Sequence, residues 1–292
     1  MATRDDPVEE TRMSLAEHLE ELRKRLFRGV LAVAICFVGC WVYRDAIGEI
    51  VLQPLDNTVA WLDRDMVEIA EARLIEDSSI ERLELFMTND PADRRLRNPI
   101  PPVRGDAAST GFMFFLKACV YFSLFLSGPV LIWQLWQFIA AGLYRSEKKM
   151  IHIYFPFSVV LFLSGILFGY FLLVPYGQYY LASMTIEQII FYPEISAYFT
   201  FLTSLCIALG VVFQLPIIMV GVARMGLVDP AVYAKFRGHF MVAALVIAAV
   251  LTPPDPFTQM LMGLPMILLY ELGIHAARLT TRRAAKREAA AD

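Results

Sequence analysis

Charge is scarce across most of this chain, and its absence carries the first information. No Asp, Glu, Lys or Arg lies between Lys117 and Arg145, between Lys149 and Glu187, between Glu194 and Arg224, or between Arg237 and Asp255. These gaps approach or exceed the roughly 20 apolar residues that cross a bilayer as a helix. With 57% hydrophobic residues and a mean hydropathy of +0.53 over 292 residues, they define a polytopic helical membrane protein. No Asp or Glu sits near the middle of an apolar run, where a coupled transporter would hold a proton or ion. The metalloprotease, nucleophile-elbow, Walker and dinucleotide patterns are all missing, so an enzymatic reading has no foothold. Four cysteines, Cys36, Cys40, Cys119 and Cys206, fall inside apolar runs without partners in the polar segments, which argues for packing rather than disulfide or metal chemistry. No metal or cofactor is expected. The chain lacks a nucleic-acid footprint, and its acidic first residues, Asp5, Asp6, Glu9 and Glu10, do not resemble a removable signal peptide.

The charge that is present is segregated. Ser14 to Arg28 is a dense cluster running straight into apolar sequence, with Leu15, Leu19, Leu22 and Leu26 at helical spacing. Ser14 with Glu17 forms a capping box, and Glu20 to Lys24 and Glu21 to Arg25 are ion pairs four residues apart. The spacing predicts an amphipathic helix at a membrane surface within a cytoplasmic N-terminal region, residues 1–25. Six spans are expected, at about 26–43, 112–140, 151–174, 197–222, 239–252 and 257–277. They make up a membrane domain over 26–278, followed by a basic then acidic tail over 279–292. Basic residues follow or precede alternate spans: Arg23 to Arg28, Arg145 to Lys149, Arg224 to Arg237, and Arg278 to Arg287. The positive-inside rule then puts both termini in the cytoplasm.

Several breaks are predicted. Pro54, after Gln53, ends the helix that leaves the first span. The long polar segment 56–110 is expected outside the bilayer as an extended outer loop, with short surface helices at Val59 to Ile69 and near Ser79 to Arg82. Gly128-Pro129 and Pro216 kink their spans, Pro175 closes the third, and the last two spans form a hairpin of two short arms around Thr252, Pro253, Pro254, Asp255 and Pro256.

Two acids stand in basic surroundings on the predicted inner face: Glu21 beside Arg23 to Arg25, and Glu147 beside Arg145, Lys148 and Lys149. A carboxylate accepts a guanidinium in a two-pronged fashion, so such a pair can recognise a peptide carrying adjacent arginines. Each acid can equally be neutralised by its own neighbours. Gln214 is the main central polar group and suits an interhelical hydrogen bond.

Five blocks in order carry a resemblance. They are His18 to Arg25; Gln53 to Leu55; Trp136 to Ala140 with Leu143 to Glu147; Phe213 to Pro216; and Leu251 to Gln259. Nearly end to end the chain resembles the TatC family, the multispanning core subunit of the twin-arginine protein translocase. The resemblance implies an all-α integral membrane protein of six helices in a cupped, glove-like arrangement, with a long polar extracytoplasmic loop between helices 1 and 2. It implies a non-catalytic receptor for twin-arginine signal peptides of folded cargo, driven by the proton-motive force in the bacterial inner membrane. Glu21, Arg23, Phe138 and Glu147 correspond to the signal-peptide patch, and Pro54 to a structural element of the outer loop. Gln214, Thr252, Pro253, Pro254, Asp255 and Gln259 correspond to contacts with single-span partners of the TatA and TatB types, within a self-associating complex in membrane lipid. Many members carry Glu where this chain has Gln214, and the segment 56–104 exceeds the usual first outer loop. The alternative, a secondary transporter of a small solute, predicts inverted repeats, and none is evident.

Overall fold

A computed structural model describes residues 15–76, 109–141, 148–184 and 194–288. Among them the charge-free runs form helices, as they must where no water can satisfy an exposed peptide group. Leu15–Val42 is α1 and Arg44–Glu76 is α2. Thr110–Ala141 is α3, and Lys148–Phe168 is α4, which passes through a π turn at Gly169–Leu173 into α5, Val174–Ser183. Ile195–Val212 is α6, Leu215–Arg224 α7, Pro230–Lys235 α8, Arg237–Leu251 α9 and Pro256–Glu288 α10. Five stretches are long and apolar enough to cross a membrane: Leu19–Val42, Thr110–Ala141, His152–Ser183, Ile195–Arg224 and Pro256–Arg282. Arg237–Leu251 is a sixth, shorter apolar helix.

The α6–α7 span is the hub, with half of its most apolar window buried against 11% for that of α1. Leu202, Leu205, Cys206 and Leu209 of α6 pack with Leu173 and Val174 at the π turn, Phe114 and Cys119 of α3, and Val51 and Leu55 of α2. Backbones come close where a side chain is missing: a Cβ on Gly165 of α4 would lie 2.6 Å from the Leu209 carbonyl oxygen of α6. Small residues at such seams let dispersion act along whole helices, the main attraction between helices in lipid. All four cysteines are free thiols, and Cys40, Cys119 and Cys206 are buried in this packing.

Four expectations need correction. The cluster Leu15 to Arg28 is not a separate surface helix; it continues unbroken into the first span as α1. Its leucines point outward, Leu19, Leu22 and Leu26 being exposed, because lipid rather than a protein core receives an apolar stripe here. Pro54 does not end a helix but lies buried within α2, which runs on through Val59 and Met66 to Glu76. The candidate helix near Ser79 lies outside the described residues. Pro175 does not close the third span: the widened π turn, in which the Val174 N–H reaches the Gly169 carbonyl, makes room for the ring, and the helix goes on to Ser183. Finally, the last hairpin has unequal arms. The second arm, α10, is long and carries Glu271 within it, where Arg237 of α9 neutralises the acid, Nη2 donating to Oε2 at 2.9 Å.

The helix survives Pro54 for a specific reason. Proline has no N–H, so the Ile50 carbonyl four residues earlier loses its donor. The Tyr170 hydroxyl, from the π turn, donates to that oxygen at 2.6 Å. Beside it the Tyr198 hydroxyl of α6 donates to the Val51 carbonyl at 2.7 Å, and Thr58 Oγ1 donates to the Pro54 carbonyl at 2.9 Å. Trp61 then rests on Tyr176 and Tyr179, ring centroids 5.2 and 6.0 Å away, fixing α2 along α5. Replacing Tyr170 by Phe should orphan the Ile50 oxygen and lower stability by about 1–3 kcal/mol. Pro54→Ala restores the missing N–H, so Tyr170→Phe should cost much less in that background. Thermal unfolding of the four proteins in detergent measures this coupling, and an equal cost in both backgrounds would refute it.

Candidate functional site

Antiparallel packing of α1 on α3 builds one end of the molecule. The register is set by three contacts. A Cβ on Gly29 would lie 3.0 Å from Leu131, Cys119 Sγ is 3.5 Å from the Cys40 carbonyl oxygen, and Trp41 meets Phe112 edge-on at 6.1 Å. Going back along α1 from Gly29 is therefore going forward along α3 from Leu131. One turn back, Arg25 is level with Gln134 and Leu135; two turns back, Glu21 is level with Phe138 and Ile139. The fold thus brings Glu21 and Phe138 to the same height on one seam. Glu147 lies outside the described residues, although it follows the end of α3 by only six positions.

Charge on α1 is divided by face. Glu20 carries two exposed pairs, with Arg23 at 3.7 Å and Lys24 at 3.8 Å. Arg23 is 82% exposed. Glu21 and Arg25, by contrast, are only 24% and 17% exposed and are paired to each other. Self-neutralisation of Glu21, one of the two possibilities open in the sequence, is therefore present.

A second polar locus joins α4 to the α6–α7 break. Gln214 fills the two-residue break ahead of Pro216, where helical bonding is interrupted. Its amide Nε2 donates to the Ser158 carbonyl at 2.9 Å, and the Ser158 hydroxyl donates back to Gln214 Oε1. This is the interhelical hydrogen bond anticipated for Gln214, with a partner that nothing in the sequence singled out.

The third locus is the turn of the last hairpin. Thr252 closes α9 by donating to the Ala248 carbonyl from both N–H and Oγ1, at 2.9 and 2.8 Å. Asp255 caps α10, accepting from the Thr258 N–H at 2.7 Å and from the Thr258 hydroxyl. Gln259 Nε2 donates to the Leu245 carbonyl across the hairpin at 3.1 Å. Thr252 and Pro253 also line an open groove of about 480 Å3 with Glu194, Thr200, Phe201 and Ser204. At the other end of the hairpin Phe240 stacks on Tyr270 at 4.0 Å, and the Tyr270 hydroxyl donates to the Tyr233 carbonyl at 2.9 Å. Burial, reinforced by nearby Tyr270, pushes the Tyr233 phenol above its ordinary range, so it stays protonated as a donor.

The residues expected to share one function thus fall into separate places. Glu21, Arg23 and Phe138 gather at the end where α1 begins; Gln214 lies inside a helix seam; Thr252 to Gln259 lie at the hairpin turn; and Pro54 sits between Tyr170 and Tyr198. Sequence reasoning missed Ser158, Tyr170, Tyr198 and the Arg237–Glu271 pair. A tyrosine near a proline gives no periodic signal, and only the charge-neutrality expected of Glu271 inside an apolar run hinted at a partner.

An all-α, multi-pass membrane protein with no strand among its described residues and a charged seam at one end is the class defined so far. Comparison with known proteins makes it specific. The family described as "TatC: Sec-independent protein translocase protein (TatC)" matches residues 17–265. The chain is 35% identical over 275 residues to the Sec-independent protein translocase protein TatC of Halothiobacillus neapolitanus, covering 94% of this chain and 64% of that protein's length. It is 31% identical to TatCy of Bacillus subtilis (95% and 94% covered) and 31% identical to TatC of Escherichia coli (96% and 94% covered). Its fold is similar to a crystal structure described as the twin arginine translocase receptor TatC, with a TM-score of 0.68 and 26% identity over 90% of this chain and 99% of that one. The chain belongs to the TatC family of Sec-independent protein translocase proteins, a family of translocase subunits rather than of enzymes.

The hairpin geometry gives a direct test. Asp255→Ala removes the cap of α10 and should destabilise its first turn by about 1 kcal/mol. Hydrogen exchange at Phe257, Thr258 and Gln259 should accelerate about fivefold, while Asp255→Asn, which keeps an acceptor for the Thr258 N–H, should stay near the original rate.

Proposed function

We propose that this chain is the receptor subunit of a twin-arginine translocase, binding the signal peptides of folded cargo at the end of the bundle where α1 begins. The observation that carries this is the α1–α3 register, which sets the half-buried Glu21 level with Phe138 while exposed Arg23 stands beside them. The family membership and the similarity to a solved twin arginine translocase receptor support it. A carboxylate in a partly dehydrated seam holds a guanidinium more firmly than one in water, because the attraction is less screened. Glu147, reached by a short connection from the end of α3, supplies the second acid.

The short helix α9 counts as the fifth of six spans, and the helices enclose a cupped surface. Its basic residues gather at the starts of α1, α4 and α9 and the ends of α7 and α10, so this face is cytoplasmic together with both termini, in the bacterial inner membrane. The hairpin turn and the groove beside Thr252 and Pro253 receive single-span subunits of the TatA and TatB types. Transport draws on the proton-motive force. The polar segment after α2 forms an outer platform for partner subunits or emerging cargo, anchored through Trp61 and Thr58.

Crosslinking of a twin-arginine signal peptide to the purified protein tests the receptor assignment. Loss of one charge-assisted pair removes about 1.5–3 kcal/mol, so Glu21→Ala and Glu147→Ala should each lower binding by at least about tenfold. Undiminished crosslinking in the double variant would refute the site. For the platform, deletion of Asp63 to Arg97 should impair export or complex assembly; unchanged export and assembly would remove that role.

A further inference from the structure

One charged group at this end has no part in the receptor assignment so far. Arg25 lies on the same face of α1 as Gly29, turned toward α3, and is 17% exposed where Arg23 is 82% and Lys24 is 58% exposed. Its Nη2 donates to Glu21 Oε1, but its Nε is buried without an acceptor among the described residues. On the facing helix, Gln134 follows Leu131 by three positions, at the level of Arg25. Gln134 Oε1 is buried without a donor among the described residues. An orphaned guanidinium N–H and an orphaned amide oxygen therefore sit at the same height on the two sides of one seam. Each costs stability where it stands, since a buried polar atom without a partner forfeits its hydration.

We propose that Arg25 is an internal competitor for the Glu21 carboxylate, which moves toward the Gln134 oxygen when a ligand arginine takes its place, so that an arginine enters the seam only by exchange. The inference rests on the receptor reading of Glu21. Its logic is an exchange balance. A ligand with a single arginine breaks one guanidinium–carboxylate pair to form another of the same kind, which leaves almost nothing to offset the cost of association. A second arginine, meeting a further acceptor, adds a pair that replaces none. Gln134 lowers the cost of the exchange, because the displaced Arg25 gains a partner there. Lysine is a poor substitute in the ligand, since an ammonium cannot reproduce the planar fork that Arg25 already presents to Glu21.

The test uses the whole purified protein in detergent and two fluorescent peptides, one carrying the paired arginines and one with a single arginine replaced by Gln. Dissociation constants are measured by anisotropy for the unchanged protein and for Arg25→Gln, Gln134→Leu, the double variant and Glu21→Gln. Freeing Glu21 by Arg25→Gln removes the same exchange cost from both peptides, so each should tighten by about tenfold. Gln134→Leu should weaken the paired peptide about threefold while Arg25 is present and have no effect in the Arg25→Gln background. Affinities that stay the same or weaken in Arg25→Gln overturn the proposal, as does an effect of Gln134→Leu that is independent of Arg25. Should Arg25→Gln fail to fold by size-exclusion chromatography, Arg25→Lys serves: its weaker hold on Glu21 should tighten both peptides in the same direction, and unchanged affinities count against the competitor role. Glu21→Gln separates the two levels. If it binds both peptides like the unchanged protein, the receptor reading itself fails; if it weakens binding while Arg25→Gln leaves both affinities unchanged, only the competitor role fails.

Discussion

A peptide carbonyl inside a bilayer has no water to turn to, and this chain is arranged around that constraint wherever its helices are interrupted. Each interruption brings its own hydrogen-bonding partner. Tyr170 supplies the Ile50 oxygen that Pro54 strands, and Thr252 and Asp255 close the two sides of the hairpin turn from their own side chains. At the α6–α7 break, Gln214 and Ser158 satisfy one another across the seam. The π turn ahead of Pro175 solves the same problem without a side chain, by shifting the bonding pattern one residue along. Where the partner comes from another helix, the break also fixes how the two helices sit relative to one another. Tyr170 and Tyr198 attach α2 to two different spans at adjacent carbonyls, so the direction in which α2 leaves the bundle is set by backbone hydrogen bonding as well as by packing.

This explains what could be read in the sequence and what could not. Spans were visible because uninterrupted apolar runs have no other stable form in lipid, and their order and polarity followed from where the basic residues stop. The five motif blocks identified the family. Proline and charge misled, since both are ordinarily terminators. Pro54 and Pro175 continue as helix because distant or local geometry repairs the backbone, and Glu271 continues because Arg237 comes to it from another helix. None of these compensations is periodic or local. The leucine stripe of α1 misled differently: in water such a stripe faces a core, whereas here it faces outward and the charged pair of Glu21 and Arg25 faces the neighbouring helix.

Polar groups in this molecule are therefore either committed to the backbone or gathered at helix ends. Gln214 belongs to the first kind. Both ends of its amide are engaged with Ser158, so the interruption before Pro216 does not require a carboxylate to be stable. The cluster at the start of α1 belongs to the second, and its charges are divided between two faces. Exposed Arg23, Lys24 and Glu20 hold that end at the aqueous boundary, while Glu21 lies in the seam where a guanidinium is held tightly.

The seam is also nearly all that holds α1. With one packed side and the other open to lipid, this helix resembles a door hung on a single jamb: rotation about the α3 contact disturbs little else. Its far end passes through Tyr43 into α2, which the tyrosines hold fast. A push delivered at the start of α1 would accordingly meet its resistance at the helix's other end, where α2 is held.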